Sequence, residues 1–446
     1  MYLNENCILE ALNKIDKRKS CGPDNIPPVF VKNCANSLVN PLSHIFNTSL
    51  KLGRFPEKWK PSYIVPIFKS GARNNIENYR GIAILCTFGK IFESLVTNFL
   101  TQQLSNLISP SQHGLMRGRS TCTNLLEFVN LSVGKIEEGN QIDVIYTDIS
   151  KAFDRLIHRV LLNKLFRFGV HSSMLAWIQS YLSAREQFVK VCGWISKPIY
   201  VTSGVPQGSH LGPLLFILFM NDAPDVLNYS KCLMFADDLK LFSPVKSILD
   251  AINLQRDLDM LSSWCQRNCL SLNINKCKTM SFYRLNTPII YNYAISNVPL
   301  VRVYEIRDLG VVFDRTFTFN SHIDLIVAKA YSMLGFMMRI CADFNAVSVF
   351  FSLYNAYVRS HLEYAAVVWS PNYDVHINRI ESVQKFGYYN VIKFAPYLFK
   401  CSLLNIELLS DRRRNAKLLF VFDILSGRID SHNCCLYLTF MIHQDL

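Results

Sequence analysis

Apolar positions set the rhythm of the chain. Residues 8–19 alternate apolar and basic positions at helical spacing, and residues 31–52 repeat that period. Between them Cys21-Gly22-Pro23-Asp24-Asn25 carries turn chemistry. The run 63–68 reads as a strand, 88–107 and 121–136 as helices. A strand over 143–147 is expected to lead into a helix through Leu165, followed by a helix over 172–182. Residues 188–192 and 199–201 suggest a hairpin, and the Gly/Pro/Ser-rich stretch 204–212 reads as a loop feeding an apolar helix over 213–221. A hairpin around Asp237-Asp238 comes next. A helix over 247–265 then places Ile248, Ile252, Leu258, Leu261 and Cys265 on one face. Short strands are expected at 279–283 and 309–313, and mostly helix from His322 onward. No repeat or low-complexity linker interrupts this order. Strands of mixed direction among helices suit an α+β domain with a ferredoxin-like sheet and a helical appendage.

Composition narrows the class. Half of the 446 residues are hydrophobic, which excludes a disordered chain and allows two or three packed domains. Lys and Arg outnumber Asp and Glu by 47 to 34, giving a net charge of +13. That balance points to a polyanionic partner, most simply nucleic acid, although a generally basic protein would show it too. The 14 cysteines contain no C-x-x-C pair and read as reduced core thiols of an intracellular protein. The apolar run from Leu214 to Met220 is far shorter than a membrane span.

The sharpest chemistry lies in Phe235-Ala236-Asp237-Asp238-Leu239. Two adjacent acids between apolar runs are costly to desolvate unless a positive charge compensates, and a divalent cation prefers oxygen ligands. Asp148 follows the strand-like Val144-Ile145-Tyr146-Thr147 and supplies a third carboxylate. Taken alone, an Asp-Asp pair is also a common turn or helix N-cap.

Four segments occur in order: Asp148-Ile149-Ser150-Lys151-Ala152-Phe153-Asp154, then Gly204-Val205-Pro206-Gln207-Gly208-Ser209-His210-Leu211-Gly212-Pro213, then Phe235-Ala236-Asp237-Asp238, then Leu272-Asn273-Ile274-Asn275-Lys276-Cys277-Lys278. Together they resemble the reverse transcriptases of non-LTR (LINE-type) retrotransposons, close to the jockey group. Trp59 to Lys69 and Asn78-Tyr79-Arg80 resemble that family's fingers, and Asp308-Leu309-Gly310-Val311 and Leu362-Glu363-Tyr364-Ala365 its thumb region. The resemblance covers nearly all of the chain except its tail.

The resemblance implies a right-hand polymerase with an N-terminal extension and fingers in 1–140, a palm in 141–285 and a thumb with helical C-terminal region in 286–446. The core reverse transcriptase domain would span about 50–312. It implies RNA-directed DNA polymerisation from dNTPs, an RNA template and a DNA primer, with two Mg²⁺ ions, or Mn²⁺ in their place. Asp148, Asp237 and Asp238 become the metal-binding carboxylates and Lys276 the acid for the leaving pyrophosphate. Lys69 and Arg80 become triphosphate clamps, with Phe153 as sugar selector and Gln207 and Gly208 at the base pair. No membrane contact is implied, and the expected location is the nucleus and cytoplasm.

Departures exist. Gly81 follows Arg80 where the family usually has Pro. No endonuclease fits ahead of the fingers, zinc-knuckle cysteines are missing, and the ending from Asn433 looks unlike the family. These features keep open a silent or domesticated remnant that only binds RNA or RNA–DNA hybrid. A polymerase of the group II intron or telomerase type is disfavoured by the Asp-Leu-Gly and Leu-Glu-Tyr segments.

Overall fold

A computed structural model describes residues 1–341, 347–391 and 407–430. The expected ending from Asn433 lies outside the described residues. The protein is α+β, built on two sheets. In the first, β1 (Ser62–Phe68) runs antiparallel to β2 (Tyr79–Leu85) and parallel to the strand formed by Arg185–Val191. In the second, β3 (Gln141–Thr147) is central. With β4 now denoting Arg185–Val191, β5 Trp194–Ile195, β6 Ile199–Val201, β7 Lys231–Phe235, β8 Asp238–Val245 and β9 Lys278–Phe282, the second sheet has the order β9-β3-β8-β7. All three pairings are antiparallel, and Val301–Arg302 adds a short parallel strand beside β9.

The second sheet is buried on both faces, and its alternation explains why. Ile145, Leu239, Leu241 and Met234 enter one apolar cluster with helices Ala35–Leu52, Thr87–Leu104 and Leu211–Met220. Their neighbours Val144, Phe242, Leu233 and Met280 enter a second cluster with helices Thr121–Glu137 and Asn320–Ile340. Successive strand residues point to opposite faces, so one sheet serves two cores. Leu211–Met220 is buried at nine of its ten positions, which accounts for its uniform apolarity.

Most expected elements are present with small shifts. Three differ for identifiable reasons. The first helix is Glu5–Asn13, capped by Asn4, whose Oδ1 accepts from Cys7 N at 2.8 Å. It stops early because the Asp16 carboxylate accepts from Arg18 N at 3.0 Å and holds a turn there. No helix follows Asp148 directly; helix His158–Arg167 begins later. The carbonyls of Phe153 and Leu156 instead accept from Val205 N and Gly204 N, at 2.9 and 2.7 Å. The expected strand 309–313 is a hairpin, Glu305–Asp308 with Val311–Asp314, turning at Leu309-Gly310. Strand β4 divides its partners, pairing with β6 through Arg185–Gln187 and with β5 through Lys190 and Val191. Among the described residues no helix is long and apolar enough to cross a membrane.

Candidate active site

The sheet brings three carboxylates to one end. Thr147, the last residue of β3, pairs with Leu239 of β8, so Asp148 and Asp238 emerge side by side. Phe235 pairs with Asp238 across a two-residue turn made of Ala236 and Asp237. A second segment locks Asp148 from the other side. Its carbonyl accepts from Asn273 N at 2.8 Å, and Ser150 N donates to Ser271 O at 2.9 Å. That docking carries Lys276 Nζ to 3.7 Å from Asp148 Oδ2.

The charges are short of compensation. Burial raises the Asp237 carboxyl above its usual range; Asp148 adds to the shift, while Asp237's own N–H and the charges of Arg80 and Lys69 oppose it. Asp238 is pushed up to about 6, by burial first and then by Asp237, Asp308 and Asp148. Both shifts arise where carboxylates crowd one another. A cleft of about 270 Å³ opens beside them, lined by Asp148, Asp238, Lys240, Lys276, Asp308 and Leu309 among others.

The first sheet comes within electrostatic reach of this end. Arg80 stands opposite Ile67 in the β1–β2 hairpin, and Lys69 N donates to Asn78 O at 2.8 Å. Both side chains are exposed, and both act electrostatically on Asp237. Gln207 O accepts from Ala83 N of β2 at 2.7 Å, and Gln207 Nε2 donates to Asp154 Oδ1 at 2.8 Å. Asp154 therefore ties two loops together. A Cβ on Gly208 would lie 2.8 Å from Ala83 O, so only glycine permits that approach. Phe153 lies in a turn, half-buried, its ring stacked on Phe216 with centroids 4.2 Å apart.

The donor set suits a hard divalent cation: three carboxylates at one sheet end, two of them raised by burial and then by their acidic neighbours. Among the described residues no three such groups stand close enough together to hold a metal ion as they are.

The sequence reading passed over the residues that hold this end in place. Ser111–Gly114 lies against β7, with Met234 N donating to Ser111 O and His113 N to Met234 O, at 2.8 and 2.9 Å. Gln112 Oε1 accepts from Ala236 N at 3.0 Å. Lys240, buried beneath the site, pairs with Asp308 and sits over the Phe128 ring at 4.7 Å. A signal for Lys240 was available: a lone lysine within Leu239-Lys240-Leu241-Phe242 must have a buried partner.

Residues 67–337 match the family described as reverse transcriptase (RNA-dependent DNA polymerase). The chain is 29% identical over 395 residues to the RNA-directed DNA polymerase from mobile element jockey of Drosophila melanogaster, covering 84% of this chain and 42% of that protein. It is 28% identical over 394 residues to the probable RNA-directed DNA polymerase from transposon X-element of the same species, with coverage of 84% and 42%. For the probable RNA-directed DNA polymerase from transposon BS the figures are 28% over 342 residues, 73% and 37%. The chain thus spans about two fifths of the length of these relatives.

Proposed function

The chain belongs to the reverse transcriptase family, and from that premise we propose that it extends a DNA primer with dNTPs along an RNA template, as the polymerase segment of a jockey-like non-LTR retrotransposon protein. The observation that carries this reading is the meeting of Asp148, Asp237 and Asp238 at one sheet end within electrostatic reach of Lys69 and Arg80.

The strand order β9-β3-β8-β7, with its all-antiparallel pairing, supports a ferredoxin-like palm over 141–285. The β1–β2 hairpin and the N-terminal helices suit fingers within 1–140, with β4 to β6 of the palm segment completing their sheet, and the helices after 286 suit a thumb. Asp148, Asp237 and Asp238 would hold two Mg²⁺ ions, or Mn²⁺ in their place. When bound, such ions sharpen the primer 3′-hydroxyl and stabilise the charge that develops on the transferred phosphate.

The remaining work belongs to side chains. Arg80 would grip triphosphate oxygens through its planar fork, with Lys69 as a second point charge. Gln207 and Gly208 would bring backbone close to the new base pair. Phe153 would press beneath the sugar and exclude a 2′-hydroxyl; Phe153→Val should then raise rNTP use relative to dNTP. Lys276 Nζ would give its proton to the leaving pyrophosphate. The basic balance suits work on nucleic acid in the nucleus and cytoplasm.

The decisive experiment is primer extension on poly(rA)/oligo(dT) with Mg²⁺, and with EDTA as the control. Extension that EDTA abolishes is expected. A folded protein that binds the primer–template but adds no nucleotide would instead be a binding-only remnant.

A further inference from the structure

We propose that Gln112 is a positioning residue for Asp237, its buried side-chain amide clamping the turn that presents this carboxylate. The inference rests on the polymerase reading above and adds a residue outside its motifs.

The turn needs outside support. Strands β7 and β8 reverse over Ala236 and Asp237 alone. Ala236 has φ of 56°, in the left-handed region that a residue with a Cβ adopts only under strain. Asp237 follows it directly, so any relaxation of Ala236 swings the carboxylate away from Asp148 and Asp238.

Gln112 supplies the support. It is 1% exposed. Its Oε1 accepts from two backbone donors, Ala236 N at 3.0 Å and Gly114 N at 2.8 Å. Two converging N–H groups require a carbonyl oxygen there, which fixes the amide's orientation. Nε2 then faces Ala236 O, to which it donates at 3.5 Å. One side chain thus engages both polar backbone groups of the strained residue. The backbone closes from the same side: a Cβ on Gly114 would fall 2.2 Å from Ala236 N. Asn124 Nδ2 donates to Met234 O at 3.1 Å and anchors the strand leading into the turn. Lys69 and Arg80, by contrast, act on Asp237 from the open side.

A clamp of this kind acts on geometry, so its loss should lower the chemical rate and weaken metal use while sparing substrate binding. Gln112→Met keeps the shape and removes the hydrogen bonds. We expect kcat to fall about 10- to 100-fold, the scale of a misplaced catalytic group. The Mg²⁺ concentration giving half the maximal rate should rise severalfold. The dNTP KM and the primer–template Kd should stay within about twofold, since those contacts lie elsewhere. Adding Ala236→Gly to Gln112→Met should restore part of the rate, because glycine reaches the turn conformation unaided. A merely structural role would give no such rescue.

If Gln112→Met fails to fold, judged by primer–template binding and melting, Gln112→Asn carries the test. It retracts the amide by one methylene and should shift kcat and Mg²⁺ requirement in the same directions by a smaller factor. Unchanged kcat and Mg²⁺ requirement in a folded variant, beside an active wild type, overturn the clamp alone. An inactive wild type overturns the polymerase reading on which it rests.

Discussion

Asp143 and Asp148 belong to the same strand and its immediate end, yet they live in opposite electrostatic worlds. Asp143 is fully buried and saturated with donors: Gln141 Nε2 at 2.7 Å, Ser281 Oγ at 2.6 Å and Tyr293 OH at 2.7 Å. Asp148 lies at the sheet end, with Lys276 at 3.7 Å and two further carboxylates crowding it. The same division holds along β8. Asp238 at its start is raised by burial and by its acidic neighbours, whereas Lys240 inside it is paired with Asp308. Interior charges in this sheet are matched by the protein itself. Those at its end are less fully matched, and on that difference rests the proposal that they take a cation.

The comparison can be broken most forcefully at the open end. Asp237→Asn should reduce primer extension by about three orders of magnitude or more, as when a group that organises transition-state charge is lost. Melting of the metal-free protein should stay level or rise, because a repelling charge is removed. A matching loss of stability would instead class Asp237 with Asp143.

Inside the sheet the balance should reverse. Lys240→Met leaves Asp308 buried without its partner, which costs about 3–5 kcal/mol of stability. Denaturant unfolding would measure this. Residual activity per folded molecule should fall far less than in Asp237→Asn.

The contrast between matched and unmatched groups also shows how far the sequence could be read. The strand over 143–147 and the hairpin around Asp237-Asp238 were legible, because short apolar runs bounded by polar residues mark buried strands, whereas the two cores they serve follow from the pairing of distant segments. The carboxylates were legible because adjacent acids among apolar residues are improbable without a role. The helix expected after Asp148 was not, since loop carbonyls there accept from Gly204 and Val205, residues remote in sequence. Gln112 was illegible for the same reason: nothing local marks a glutamine whose partner Ala236 lies more than a hundred positions away.

A third way to sharpen the comparison uses pH. His322 is buried against Trp369, and its Nδ1 accepts from Val312 N at 3.2 Å. Burial, helped by Arg307, lowers its pKa from 6.5 to about 4. The folded state therefore holds neutral histidine, and its contribution is complete above pH 6.5. As pH falls below 6.5 the unfolded chain takes up the proton first, and about 3 kcal/mol is lost by pH 4. His322→Phe should flatten that portion of the stability–pH curve. An unchanged slope would show that His322 is not held neutral.

The smallest effect is expected above the open end. Arg80→Ala and Lys69→Ala should each raise the dNTP KM roughly tenfold, equivalent to one charge-assisted phosphate contact of about 1.4 kcal/mol. Primer–template affinity should hardly change. Weakened duplex binding with an unaltered dNTP response would remove both residues from the triphosphate.

The central claim is that the unmatched carboxylates are a cation site and the matched ones are not. Mn²⁺ titration followed by electron paramagnetic resonance tests this most directly, on the wild type, Asp237→Asn and Asp143→Asn, without substrate. Saturable Mn²⁺ uptake is expected for the wild type, strong weakening in Asp237→Asn, and retention in folded Asp143→Asn. Equal uptake by the wild type and Asp237→Asn would contradict it.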